Sequence, residues 1–177
     1  MNDKTNPDAL SETVTRRQLI VGFAVAFGGL ATGCSALGDT TNELSVAKQA
    51  RTALHFEADL AASPQHIYEV LLDPKQFAAM TAQPAQIDAK EGGAFSMFGG
   101  RIVGRNVELI PGQRIVQAWR PTHWDAGIYS IVKFEFREHG LKTTLLLDHT
   151  GFPAAEADHL ESGWTEHYLN PLAKYLA

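Results

Sequence analysis

The sequence predicts an α+β fold in which a strand and two short helices precede an antiparallel sheet and a long C-terminal helix. Apolar and polar residues alternate over several short stretches between positions 94 and 149, as in half-buried strands. Short turns rich in glycine or proline separate these stretches, which favours antiparallel pairing of neighbouring strands. Near the C-terminus apolar residues recur at every fourth position, as on one face of a helix.

Composition limits the classes of function. The 177-residue chain has a net charge of −5 and a sequence pI near 5.8. Its hydrophobic fraction of 45% is ordinary for a globular protein. No stripe rich in lysine and arginine is present, so we expect no nucleic-acid partner. Cys34 is the only cysteine, which excludes an internal disulfide and a cysteine-rich metal site.

Residues 15–34, TRRQLIVGFAVAFGGLATGC, have the features of an export signal. Arg16 and Arg17 precede an apolar run diluted by glycine, and this run is shorter than the about 20 residues of a transmembrane helix. The order resembles the twin-arginine signal, which implies the twin-arginine translocase as a partner during export. An ordinary export signal with two adjacent arginines is the alternative.

The end of this segment, Ala31-Thr32-Gly33-Cys34, resembles a lipoprotein box, although the usual leucine is displaced by one place to Leu30. The resemblance implies that Cys34 is acylated and anchors the protein on the periplasmic side of a membrane. A plain cleavage site at small residues, or a cysteine that merely belongs to the apolar run, is the alternative. The predicted organisation is a signal at 1–34, a flexible tether at 35–51 and a folded domain at 52–177.

The folded domain begins with an alternating strand and two helices. Residues 52–63, TALHFEADLAAS, alternate in polarity. Ser63 and Pro64 then supply an N-cap and a proline at the first helical position. This helix ends near Asp73-Pro74, and a second short helix follows around residues 76–80.

A sheet and a final helix complete the domain. The predicted strands cover residues 94–98, 102–110, 115–120, 128–136 and 143–149. The final helix, residues 155–176, carries an apolar stripe of Leu160, Trp164, Tyr168, Leu172 and Leu176. Pro171 has no amide hydrogen to bond the carbonyl of His167, so we expect a bend or a loosened turn there.

This order of elements resembles the helix-grip fold of the START and birch-pollen-allergen superfamily, also called SRPBCC, in which a curved antiparallel sheet wraps around a long C-terminal helix. Within it, residues 52–176 resemble the domain homologous to the activator of the heat-shock protein 90 ATPase. The resemblance rests on unusual residue types in a fixed order: Gly93, Phe95, Phe98, Gly100, Gly104, Glu108, Leu109, Pro111, Ile115, Val116, Trp119, Arg120, Trp124, Gly127, Tyr129, Gly151, Pro153, Gly163, Trp164, Tyr168, Pro171 and Leu172.

The predicted inner face of two neighbouring strands is apolar except for Ser130 and His149. A few polar groups in an apolar cavity orient a small-molecule ligand, and the superfamily encloses its ligands between sheet and helix. We therefore expect a hydrophobic small molecule or lipid in that space. The candidate ligand-binding residues are Trp119, Trp124, Ser130, Val132, Phe134, His149, Trp164 and Tyr168.

Core packing is the alternative for these residues. Each tryptophan ring can bury about 150–250 Å², Ser130 is small, and a backbone carbonyl would satisfy His149. Gly163 is predicted to let the final helix approach the sheet closely.

Motifs for catalysis are weak. Glu156 and His159 give one copy of a spacing that di-metal bundles use twice. No nucleophile elbow or phosphate loop is present. We expect no metal and no cofactor, and the weakness of these motifs favours a protein that is not an enzyme.

Three functions remain: binding of an apolar molecule, a co-chaperone-like interaction module as the family name implies, and a small-molecule cyclase or lyase as among superfamily relatives. Export favours the first, because ATP and the 90-kDa chaperone are cytosolic.

Overall fold

A computed structural model describes residues 50–177. The predictions for Arg16, Arg17 and Cys34, and most of the predicted tether, therefore fall outside the described residues. Among those described, no helix combines the length and apolar character needed to cross a membrane.

Seven antiparallel strands form one sheet, and their spatial order is β1-β7-β6-β5-β4-β3-β2. The strands are β1 (Ala53–Leu60), β2 (Gln86–Ile87), β3 (Ala94–Met97), β4 (Ile102–Ile110), β5 (Arg114–Pro121), β6 (Ser130–His139) and β7 (Lys142–Thr150). Consecutive strands from β2 to β7 pair with each other, and β1 closes the order by pairing with β7. The predicted helix-grip sheet is confirmed. β6 begins at Ser130 rather than at the predicted Ile128, which lies before the strand and is exposed.

Two short helices, α1 (Pro64–Leu72) and α2 (Pro74–Thr81), follow the first strand as predicted. The Ser63 side chain accepts a hydrogen bond from the His66 amide at 3.3 Å. Asp73 ends α1 and caps α2, because its carboxylate accepts from the amides of Lys75 and Gln76 at 2.9 and 2.8 Å. A proline at the first helical position of each helix adds a preset backbone angle.

The C-terminal helix is continuous over residues 154–175 but changes its winding. A 3₁₀ turn, Ala154–Glu156, leads into α3 (Ala157–Gly163), then a π-helical segment, Trp164–Leu169, and then α4 (Asn170–Tyr175). The Asn170 amide donates to the carbonyl of Thr165, five residues earlier. The π segment ends at Leu169, two residues before Pro171. The loosened turn predicted from that proline is therefore present, and it takes the form of a wider helical turn.

The core lies between the inner face of the sheet and the helices. Along β5, and along β6 as far as Phe136, every second residue is buried, so these strands turn one face inward and the other outward. Four residues of the predicted helical stripe, Leu160, Trp164, Tyr168 and Leu172, are buried against that face.

Gly104 is the position where the sheet requires a glycine. A Cβ atom there would lie 2.0 Å from the Ala118 carbonyl oxygen and 2.4 Å from the Phe95 ring. Gly163 behaves differently, since a Cβ atom would meet nothing within 4 Å among the described residues. The prediction that Gly163 permits close approach of helix and sheet is therefore wrong.

We expect Gly104→Ala to lower the free energy of unfolding by at least about 2 kcal/mol, because backbone and ring must both move. The matched variant Gly163→Ala should raise it by about 0.5–1 kcal/mol, since alanine loses less conformational entropy than glycine in a helix. Urea denaturation of both variants measures the difference. Equal effects in the two variants would contradict this description of the packing.

Candidate functional site

Aromatic rings fill the layer between the sheet and the C-terminal helix. Trp119 on β5 and Phe134 on β6 face Trp164 and Tyr168 on the helix, and all four are at most 3% exposed. The centroid of the Trp164 ring lies 4.8 Å from those of both Trp119 and Tyr168. Phe134 stacks on Tyr168 at 5.7 Å with an interplanar angle of 19°. These distances are those of rings in direct contact.

A buried histidine joins this aromatic layer to the sheet. Trp164 Nε1 donates to His149 Nδ1 at 2.9 Å, and His149 Nε2 lies 2.7 Å from Ser130 Oγ. Ser130 Oγ in turn donates to the Trp119 carbonyl oxygen at 3.4 Å. The three elements β5, β6 and β7 and the helix are thus linked by hydrogen bonds inside an apolar layer.

The partners of His149 determine where its proton lies. An indole nitrogen can only donate, so His149 Nδ1 must accept and the neutral ring carries its hydrogen on Nε2. Nε2–H therefore donates to Ser130 Oγ. A general base would instead have to accept the hydroxyl proton at that atom. The close Ser130–His149 contact is consequently arranged for structure and orientation, and it opposes activation of Ser130 as a nucleophile.

Burial keeps the site uncharged. It lowers the pKa of His149 to about 4, and it raises the pKa of the Tyr168 hydroxyl. A charged imidazolium would carry a hydrogen on Nδ1 opposite the Trp164 indole hydrogen and would lose that bond.

A second set of buried polar side chains runs from Trp119 toward the other edge of the sheet. Trp119 Nε1 donates to Gln117 Oε1, Gln117 Nε2 donates to Asn106 Oδ1, and Asn106 Nδ2 donates to the Asp88 carbonyl oxygen, at 2.8, 2.8 and 2.9 Å. Sequence analysis missed Gln117 and Asn106. The signal was available for Gln117, which shares the inward phase of its strand with Ile115 and Trp119.

The structure brings together seven of the eight predicted ligand-binding residues. Val132 is buried between Ser130 and Phe134 on β6 and pairs with His149 across the strands. Trp124 is also buried, but its ring contact is with His123, outside this layer. Its Nε1 atom has no hydrogen-bond partner among the described residues.

Side chains occupy the space in which a ligand cavity was predicted, because the rings of helix and sheet are in mutual contact. An open pocket of about 270 Å³ lies elsewhere, between the β4–β5 turn and the end of β6. Within residues 50–177, no group of three or more His, Cys, Asp or Glu side chains is placed to hold a metal ion.

The pattern of one protein family matches residues 61–177, and its description is "Activator of Hsp90 ATPase homolog 1-like protein". The chain belongs to this family. The Activator of 90 kDa heat shock protein ATPase homolog of Dictyostelium discoideum is 32% identical over 130 residues, which are 73% of this chain and 34% of that protein. The human Activator of 90 kDa heat shock protein ATPase homolog 1 is 31% identical over 107 residues, 60% of this chain and 32% of that protein. The chain thus spans about a third of these relatives.

Solved structures share the fold. An HSP90 activator from Plasmodium falciparum superposes with a TM-score of 0.66 at 26% identity, covering 68% of this chain and 92% of that chain. A protein from Chromobacterium violaceum superposes with a TM-score of 0.58, also at 26% identity, covering 71% of this chain and 96% of that chain.

Acid should destabilise the domain through His149. Its pKa is 6.5 in an unfolded chain and about 4 in the folded one, so between these values only the unfolded chain gains the proton. The free energy of unfolding should therefore fall by up to about 3 kcal/mol as the pH drops from 6.5 to 4. His149→Gln should remove this slope, because the amide can accept from Trp164 and donate to Ser130 without titrating.

Urea denaturation across this pH range measures the effect as the difference between wild type and variant. The pKa of His55 is raised by its hydrogen bond to Asp148. Its contribution has the opposite sign, but it is present in both proteins and cancels. His66→Gln, at an exposed position of α1, is the matched control. An unchanged pH slope in His149→Gln would show that His149 is not the buried group that acid must charge.

Proposed function

We propose that this chain is an exported, membrane-tethered helix-grip protein that binds a hydrophobic small molecule or lipid between the sheet and the C-terminal helix. The aromatic layer is the closed, ligand-free form of that site. The observation that supports the proposal is the hydrogen-bonded pair Trp164–His149, a polar contact in the middle of the aromatic layer and at the start of a π-helical segment.

The polar pair argues for more than packing. Apolar residues of the same shape would fill this layer without the cost of burying an imidazole. Buried polar groups that are satisfied only within their own hydrogen-bond network fix one arrangement of the elements that carry them. Here they fix the C-terminal helix on the sheet, so the position of the helix depends on a contact that a ligand can replace.

The helix departs from α-helical geometry beside that contact, because the π segment begins at Trp164. Single π turns inside α-helices are frequent at functional sites. Trp164 and Tyr168 both lie in this segment, and Pro171 follows it without an amide hydrogen. Among the described residues, Trp164–His149 is the buried side-chain hydrogen bond that joins helix to sheet, whereas the bonds of Glu156 and Glu161 lie at the surface. Outward movement of this segment would open a site lined by Trp119, Val132 and Phe134.

The proposed address rests on the sequence before the domain. Arg16 and Arg17 would direct the folded chain to the twin-arginine translocase, and acylated Cys34 would hold it on the periplasmic side of a membrane. The site and the address agree, since a membrane supplies acyl chains and other apolar molecules.

Fatty-acid labelling tests the anchor. Cells that express the wild-type chain should incorporate labelled palmitate into it, and Cys34→Ala should abolish the label, because the only thiol is gone. Labelling that persists in Cys34→Ala would contradict the lipid anchor.

A second candidate is an interaction module like the activators among its relatives. Two observations favour it: the family match over residues 61–177 and an interior closed by side chains. The two candidates differ in what they bind, a protein surface or an apolar molecule.

The alkyl-chain series is the direct test of binding. Each methylene moved from water into the site should contribute about 0.8 kcal/mol, so affinity should rise about three- to fourfold per carbon until the site is full. Calorimetric titration with C6–C16 fatty acids or alcohols measures this slope, and tryptophan fluorescence reports occupancy. Trp164→Phe, which removes the bond to His149, should change the affinities, while Trp124→Phe, outside the aromatic layer, should not. A flat response across the series would contradict ligand binding.

ATPase stimulation tests the second candidate. The proposed export would separate the chain from cytosolic ATP and from the 90-kDa heat-shock protein. We therefore expect the purified chain, at micromolar concentration, to leave the rate of ATP hydrolysis by that protein unchanged. A saturable stimulation of several-fold would place the interaction module first.

A further inference from the structure

The outer face of the sheet, turned away from the C-terminal helix, divides into two parts of different charge. One part, which we call the ionic rows, carries a chain of ion pairs across five strands. Asp148 on β7 pairs with His55 on β1 at 2.6 Å and with Lys133 on β6 at 3.1 Å. Lys133 also pairs with Glu135 at 3.1 Å. The chain continues through Arg114 on β5 to Glu108 on β4 at 2.6 Å.

The other part is a row at one end of the sheet, and none of its residues is acidic. We call it the terminal row. The strand register pairs its members directly across β1, β7, β6, β5, β4 and β3, in the order Ala53, Thr150, Ile131, Ala118, Arg105 and Ala94.

Exposed apolar side chains and arginines cluster at this row. Ile131 and Tyr129 are 43% and 49% exposed. The Arg120 guanidinium lies 6.0 Å from the centre of the Tyr129 ring, and Arg105 donates to the Gly92 carbonyl oxygen at 2.9 Å. Within residues 50–177 neither arginine forms an ion pair with a carboxylate.

One acidic residue, Asp125, lies in the loop before Ile128, where its carbonyl accepts the Ile128 amide at 3.2 Å. The cluster is thus amphipathic, with an apolar centre and a net positive margin. Tyrosine and arginine suit a membrane interface, because their stems and rings contact apolar groups while their polar ends stay hydrated.

The preceding chain enters the domain at this same row. Ala53, the first residue of β1, is the row member on that strand. Arg51, two residues earlier, is fixed by hydrogen bonds to Asp158 and Glu161 on the C-terminal helix. Sixteen residues, 35–50, separate Cys34 from Arg51 in the sequence. An anchor at Cys34 would therefore hold this end of the sheet close to the lipid surface.

We propose that the terminal row, together with Tyr129 and Arg120, docks on the surface of an anionic membrane. This inference rests on the lipid tether of the proposed function. Docking inserts Tyr129 and Ile131 at the headgroup level, while the arginines contact lipid phosphates. The ionic rows, which lie farther along the same face, are then farther from the bilayer than the terminal row. The proposed occupant is a lipid surface, and a second copy of the chain is the competing occupant that the experiment must exclude.

The experiment uses the full lipidated chain in phosphatidylcholine vesicles that contain one quarter phosphatidylglycerol. Cys34 is the only native cysteine and acylation consumes its thiol, so an introduced cysteine is the only one to react with an environment-sensitive fluorophore. Ile131→Cys carries the label in the terminal row. Leu141→Cys, 94% exposed at the β6–β7 turn at the other end of β6, is the matched control.

On the vesicles, the fluorescence emission of the label at 131 should shift to the blue, and its quenching by iodide should fall several-fold. Neither quantity should change for the label at 141. Adding Arg105→Glu with Arg120→Glu should restore iodide access at 131. Arg137→Glu, exposed at the far end of the outer face, should not.

Three results would overturn the proposal, and they are distinguishable. Protein that floats with the vesicles while the label at 131 remains as accessible as that at 141 contradicts docking and leaves the tether intact. Wild-type protein that does not float contradicts the tether itself. A blue shift without vesicles that grows with protein concentration identifies a second copy as the occupant of this face.

Discussion

The hydrogen bond from Trp164 Nε1 to His149 Nδ1, 2.9 Å long and fully buried, is the contact on which the rest of the site depends. It sets the tautomer of His149, which in turn makes Ser130 an acceptor from the ring and a donor to the Trp119 carbonyl. Three strands and the C-terminal helix are thereby held in one arrangement. The aromatic stacking around the bond has its observed geometry because Trp164 cannot rotate without leaving two buried nitrogen groups unpaired.

This arrangement combines rigid and yielding parts. The sheet side is stiffened by a second set of buried bonds through Gln117 and Asn106, which holds Trp119 in place. The helix side has a π segment at the same level, followed by a proline that cannot complete the α-helical pattern. An opening motion would therefore move Trp164 and Tyr168 on the helix and leave the sheet unchanged. A closed interior is compatible with a binding function if only the helix side moves to admit a ligand.

Much of the fold could be predicted because strand alternation and helix caps are local properties. The inward phase of Ser130, Val132 and Phe134, the N-cap at Ser63 and the loosened turn before Pro171 all follow from neighbouring residues. Whether the sheet–helix space is empty depends on how rings from distant segments interlock, which no local pattern contains. Trp124 was grouped with the site for its residue type, but the loop that carries it leads its ring toward His123. The prediction for Gly163 was wrong because close approach depends on which atoms surround the glycine in the folded chain, and the sequence does not show them.

The claim that a ligand opens this closed layer is tested most directly at the Trp164 indole hydrogen. Its NMR signal is assigned by its absence from the spectrum of Trp164→Phe. In the free protein this hydrogen should exchange slowly with solvent, as expected for a buried donor bonded to His149. On saturation with hexadecanoic acid, the chemical shift of this hydrogen should change and its exchange with solvent should accelerate, because the ligand displaces its bond to His149. A Trp164 signal whose shift and exchange rate are the same with and without saturating ligand would contradict the account.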